Sequence, residues 1–195
     1  MNGRIIFLLE EPSMKILLEG LLPRLFPGLT APDHFQCVPH EGKSDLDRSI
    51  SRKLRAWREP GARFVIVRDN DNVNCIDLKQ RLANMCAEAG RPDTLIRLVC
   101  QELESWYLGD VESLTTVFAD ISVSIGVLRK RFADPDAWQK PSVELKRIVP
   151  SFQKLSGART MSNVLSVPVN RSDSFRKFAD GVERLIVEMG YVVGH

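Results

Sequence analysis

Apolar and polar positions alternate along the first hundred residues in blocks rather than singly. Runs that are apolar at nearly every position, RIIFLLE (Arg4 to Glu10), ARFVIVRD (Ala62 to Asp69) and TLIRLVC (Thr94 to Cys100), are separated by longer segments whose apolar residues recur every three or four positions. A run without a polar face has to be covered on both sides, as the strands of a parallel sheet are. HFQCVPH (His34 to His40) is predicted as a further strand. The intervening segments predict helices. PSMKILLEGLLPRLF opens with Pro12 and sets Met14, Ile16, Leu17, Leu18, Leu21 and Leu22 at helical spacing. Leu46, Ile50, Leu54 and Trp57 share one face of the next helix, with Ser44 or Asp45 as its cap. IDLKQRLANMCAEAG is amphipathic and ends at Gly90, a natural C-cap. Strands and helices in this order predict βαβ units, hence an α/β fold: a mostly parallel sheet with helices on both faces.

After about residue 110 only helical periods remain, over Val111 to Phe118, Ile125 to Phe132, Val143 to Ile148 and Ser172 to Met189. MSNVLSVPV, from Met161 to Val169, fits neither period. The expected organisation is an α/β core over residues 1–110 with a helical extension over residues 111–195 packed on it.

Composition narrows this picture in three ways. The 195 residues are 44% hydrophobic and 27% charged, enough for one packed domain. With 27 Lys and Arg against 25 Asp and Glu, the net charge of +2 excludes a basic surface over the whole molecule. A nucleic-acid ligand would need a local patch, for which LRKRF (Leu128 to Phe132) offers a basic run that serves equally as a solvated helix face. The cysteines Cys37, Cys75, Cys86 and Cys100 form no CxxC pair, which argues against structural zinc and for reduced thiols. The N-terminal apolar run IIFLL stops at Glu10 and Glu11, too short for a secretory leader, and no window suits a membrane span. A soluble, cytoplasmic protein is expected.

The acids change the picture most. In parallel α/β sheets, ligands bind beyond the carboxyl ends of the strands. Glu10 and Glu11 come after the first predicted strand, Glu41 after the second, Asp69 and Asp71 after the third, and Glu102 and Glu104 after the fourth. Carboxylates crowded on one rim repel unless a cation neutralises them, and hard oxygen donors suit Mg²⁺ or Mn²⁺. If the segment stays extended, Asp69 and Asp71 point the same way and both face one ion. Each acid alone also reads as a polar loop or a first-turn residue; the repetition at matched strand ends favours a metal or phosphate site. Lys43 lies on the same rim, Arg68 near the end of the third predicted strand and Arg171 at a predicted helix start, all three as candidate phosphate ligands.

A glutamate after the first strand and a DxD after a later one resemble the Toprim domain of topoisomerases, bacterial primases, small nucleases and the overcoming-lysogenization-defect nucleases. More closely, LLEEPSMKILLEGLLPRL, VPHEGKSDL, RDNDNVNC, QELESWYLGD and NRSDSF are similar to segments of the Toprim-like family DUF4276, spanning about residues 7 to 178. The resemblance implies a Toprim-like, Rossmann-like sheet. It places Glu10 at the Toprim glutamate, with Asp69 and Asp71 at the DxD that holds Mg²⁺. It makes Glu10 or Glu11 the general acid or base. Glu11 stands where many Toprim sequences have glycine, so which of the two enters the site stays open. Glu102 and Glu104 match the acidic motif after the fourth strand; if two ions act, one or the other would hold the second. The implied activity is a metal-dependent nuclease acting on nucleic acid, paired with a companion ATPase. A non-enzymatic metal- or phosphate-binding module serving a partner protein, and a small-nucleotide site, are the alternatives.

Overall fold

The computed structural model describes residues 3–191. Four strands, β1 (Ile5–Leu9), β2 (Phe35–Pro39), β3 (Arg63–Asp69) and β4 (Leu95–Val99), form one sheet in the order β2-β1-β3-β4. All three pairings are parallel, with Leu9 beside both Pro39 and Val67, and Asp69 beside Val99. The strand ends therefore lie level, and the residues just beyond them gather on one rim.

The helices are α1 (Pro12–Leu25), α2 (Lys43–Ala56), α3 (Cys75–Glu88), α4 (Glu104–Leu108), α5 (Val111–Val117), α6 (Ile125–Arg131), α7 (Pro141–Ile148), α8 (Lys154–Ser162) and α9 (Asp173–Glu188). Alternation along the strands divides the core in two. Ile5, Phe7, Leu9, Val65, Val67 and Val99 pack with α1 and with Trp106, Phe132, Phe175 and Phe178 of the later helices. Ile6, Leu8, Phe64, Ile66 and Ile96 pack with Leu46, Ile50 and Leu54 of α2 and Leu78 and Leu82 of α3. Both faces are covered, which explains why the strand sequences have no polar side. Among the described residues, no helix is long and apolar enough to cross a membrane.

The expected strands each lie within a residue of the observed ones, and MSNVLSVPV is the end of α8 followed by turns. One helix, α8, falls where the sequence shows no helical period, and α4 begins at Glu104, one of the acids that also reads as a first-turn residue. The cap of α2 is a correction: Gly42, at φ 94°, precedes the helix with no side-chain cap, while Asp45 accepts a hydrogen bond from the Glu41 N–H at 3.2 Å. A φ in the left-handed region suits glycine, so the backbone and not a hydroxyl or carboxylate selects this helix start. Trp57 is likewise past the end of α2, packed edge-on against Phe64 with ring centroids 5.9 Å apart.

Candidate metal centre

The site begins where β1 and β3 stop. Glu10 and Asp69 are 9% and 7% exposed. Glu10 Oε2 accepts the Asp69 backbone N–H at 3.0 Å, and the Glu10 N–H donates to the Val67 carbonyl at 3.2 Å. Asp69 Oδ1 is buried and has no hydrogen-bond partner among the described residues. Glu104, in the first turn of α4, is 3% exposed.

Burial governs the charge state of all three. It is the main cause that raises Glu10 to about 7, with Asp71 and Glu11 adding repulsion, while the Asp69 N–H and Arg68 pull the other way. Glu104 also rises to about 7, again mainly by burial, with Lys154 opposing. Asp69 is pushed well above the usual carboxylate range by burial first, then by Glu10, Glu11, Glu104 and Asp71. The mutual repulsion shows that these acids, far apart in sequence, share one field.

Asp71 reaches the site differently from the sequence expectation. The extended segment ends at Asp69, and Asp71 and Asn72 turn into the left-handed region at φ 49° and 65°. The two aspartates are therefore not on one face of a strand. Asp71 instead accepts a hydrogen bond from Lys43 Nζ at 2.8 Å. The buried Asn70 between them braces the turn. Its Oδ1 accepts the Gln101 N–H, its Nδ2 donates to the Val73 carbonyl at 2.9 Å, and Gln101 Oε1 accepts the Asn72 N–H at 2.9 Å. The DND sequence thus combines a buried acid, a structural amide and a lip acid.

The remaining candidates separate by position. Glu11, the residue before α1, accepts from Ser13 Oγ at 2.5 Å and from Lys154 Nζ at 2.5 Å, so Glu10 is the inner and Glu11 the outer glutamate. Glu102 turns aside: it accepts the Ser142 N–H at 2.8 Å at the start of α7 and lies 3.6 Å from Lys140. Lys43 is on the rim. Arg68 is 5% exposed and, as alternation along β3 dictates, faces the opposite side of the sheet from Asp69, where Asp47 of α2 pairs with it at 3.2 Å and with Arg81 at 2.9 Å. Arg171 is held by the Arg129 carbonyl at 2.6 Å, and its N–H by the Gly109 carbonyl at 2.9 Å. His40, directly after β2, is buried and links the Leu9 carbonyl (2.8 Å) to Ser49 (2.6 Å).

The DUF4276 family, described as a domain of unknown function, matches residues 9–183, a span that runs from the end of β1 into α9. The chain belongs to the DUF4276 family. Its fold is shared with solved structures. The C-terminal region of the Burkholderia pseudomallei OLD protein matches over 95% of this chain and 100% of that one, with a TM-score of 0.53 and 14% identity. The C-terminal region of the Xanthomonas campestris pv. campestris OLD protein matches over 95% and 96%, with a TM-score of 0.54 and 13% identity. At such identities the likeness is one of fold, and the Toprim-like α/β fold implied by the sequence resemblance is borne out. No curated protein matches the chain.

In this DUF4276 protein the donor set fits a hard divalent cation. Mg²⁺ takes one or two carboxylates and keeps several waters, so it does not require a complete protein cage. Among the described residues no three Asp, Glu, His or Cys side chains converge into such a cage. The fit rests on Asp69 Oδ1, a buried carboxylate oxygen without a partner among the described residues, beside Glu10 and Glu104. Lys154 is the site residue the sequence did not reveal. It opens α8, its side chain is 51% exposed, and its ammonium faces Glu11, Glu104 and Asp69.

Proposed function

We propose that this DUF4276 protein is a divalent-metal-dependent phosphodiester hydrolase acting on nucleic acid, with Mg²⁺ or Mn²⁺ at the rim. The observation that carries the reading is the buried, unpartnered Asp69 carboxylate flanked by Glu10 and Glu104, three acids that neutral water alone does not keep ionised together. Asp69, with Glu10 or Asp71, would hold the cation while waters complete its shell, and Glu104 extends the donor set toward α4. A bound cation polarises the scissile phosphate and lowers the pKa of a water. Glu10, poised at about 7, has the proton affinity of a general acid or base at neutral pH. Lys43 and Lys154 bracket the acids from α2 and α8, and their ammonium groups are placed to meet flanking phosphates. The Toprim resemblance supports nucleic acid as substrate and a companion ATPase as partner. The four free cysteines accord with work in the cytoplasm.

The near-balanced charge favours a second reading, in which the same rim binds metal or phosphate without turnover and serves a partner protein. Plasmid and single-stranded DNA incubated with Mg²⁺, Mn²⁺ or EDTA separate the two. Cleavage that needs metal and vanishes in Asp69→Ala is expected. Cleavage that survives Asp69→Ala, or Mn²⁺ binding with no turnover on either DNA, overturns the hydrolase.

A further inference from the structure

The geometry points to Tyr107 as a positioning residue of the carboxylate site, its hydroxyl donating to the Asp69 carboxylate when a divalent cation orients it. This rests on the metal reading above and adds a group that none of the strand-end acids supplies.

Tyr107 is 1% exposed, and its hydroxyl is buried with no hydrogen-bond partner among the described residues. A buried hydroxyl left unpaired is destabilising, so a tolerated one calls for a partner in some state of the protein. The partner is at hand. Tyr107 lies three residues after Glu104 on α4, hence on the same helix face. Its hydroxyl sits in the field of Glu104, Glu11 and Asp69. Asp69 Oδ1 is also buried and without a partner among the described residues. One is a donor and the other an acceptor, since an ionised carboxylate only accepts. Two unmatched groups of complementary kind, enclosed under the same rim, are accounted for together if a cation at the rim orients the carboxylates so that an outer oxygen takes the ion and an inner one takes the tyrosine proton. Metal-bound carboxylates are ordinarily held by a second hydrogen bond of this kind. Packing holds the ring in place: it lies against Phe152 with centroids 6.1 Å apart, and Phe152 precedes the helix that carries Lys154.

The chain has two tyrosines, and the other, Tyr191, already donates to the Gly3 carbonyl at 2.8 Å. Full-length protein labelled with ¹³Cζ-tyrosine and titrated with Mg²⁺ alone therefore carries its own reference, with Tyr191→Phe assigning the signals. The expected result is movement of the Tyr107 resonance and a stationary Tyr191. In Tyr107→Phe the Mg²⁺ dissociation constant measured by calorimetry rises about tenfold, as loss of one charge-assisted hydrogen bond implies. Mg²⁺ binding by the wild type with an unmoved Tyr107 signal overturns this inference and leaves the metal site standing, whether or not the phenylalanine variant folds. Failure of the wild type to bind Mg²⁺ or Mn²⁺ at all overturns the metal reading, and this inference with it.

Discussion

Glu10 grips the backbone N–H of Asp69 at 3.0 Å, so the last residue of β3 is tied to the residue after β1 by a side chain that is itself a candidate metal ligand. Structure and chemistry can be parted here, because a glutamine keeps the accepting oxygen and drops the charge. Glu10→Gln is expected to fold with wild-type stability or better and to lose metal-dependent cleavage by a factor of about 10² or more. Glu10→Ala also orphans the Asp69 N–H and is expected to be about 1–3 kcal/mol less stable. Urea unfolding beside a cleavage assay checks both.

The raised acids make stability depend on pH in a definite direction. Glu10 and Glu104 hold protons up to about 7 in the fold, whereas the unfolded chain releases them near 4.5. Their contribution is fully present below about 4.5 and is lost as pH rises to about 7. Each tenfold change in proton affinity is worth about 1.4 kcal/mol. The wild type is therefore expected to lose stability relative to the Glu10→Gln, Glu104→Gln double variant over that interval. Mg²⁺ restores the wild type at about pH 8 more than at about pH 5, which thermal melts on either side of the titration measure. Equal stabilisation at both contradicts the assignment of these acids to the ion.

Arg68 is expected to act on folding rather than on substrate. It is buried against Asp47, which keeps Arg81 as a second partner, so losing the guanidinium is expected to cost less than the ~3–5 kcal/mol of a pair that leaves an isolated buried charge. Arg68→Met should lower the urea midpoint markedly. A variant of normal stability that binds DNA poorly would return Arg68 to the phosphate-contacting role its sequence position suggested.

Glu102 is distinguished from Glu104 by what it touches. Its hydrogen bond to the Ser142 N–H caps α7, so Glu102→Ala is expected to cost about 0.5–2 kcal/mol while leaving Mn²⁺ affinity nearly intact. Glu104→Ala is expected to weaken Mn²⁺ binding. Calorimetry with Mn²⁺ on both variants decides it, and equal losses of affinity would put Glu102 among the ligands after all.

Lys154 is half exposed, so its pair with Glu11 contributes little to folding, about 0–1 kcal/mol. Lys154→Ala is expected to melt close to the wild type and to cleave DNA about tenfold more slowly, with a shallower dependence on salt. Wild-type cleavage in that variant removes the lysine from the site.

Much of this was legible in the sequence because it depends on the period of a strand. IIFLL and FVIV can only be buried on both faces, and the polar residues directly after them can only stand at the rim; that placed Glu10 and Asp69. The features the sequence concealed depend on where the chain goes after the strand ends. The turn at Asp71 and Asn72 breaks the alternation on which a shared face with Asp69 relied. Arg68 obeys the alternation, which sends it away from its neighbour. Glu102 finds its partner far along the chain, at Ser142. The helix that carries Lys154, KLSGARTMS, has too few apolar residues to show a period, and its Gly157 is there because Phe152 lies against it where a Cβ would be.

That same helix leans on α1 so closely that a Cβ at Gly20 would collide with the Ser162 side chain, and Arg24 of α1 hydrogen-bonds the Ser162 and Leu165 carbonyls at the end of α8. A glycine with no chemistry of its own thus fixes how closely α8, which carries Lys154 at its opposite end, lies against α1. A single methyl introduced at that crossing would shift α8 against α1 and so disturb the proposed site, while leaving every acid and every lysine in place.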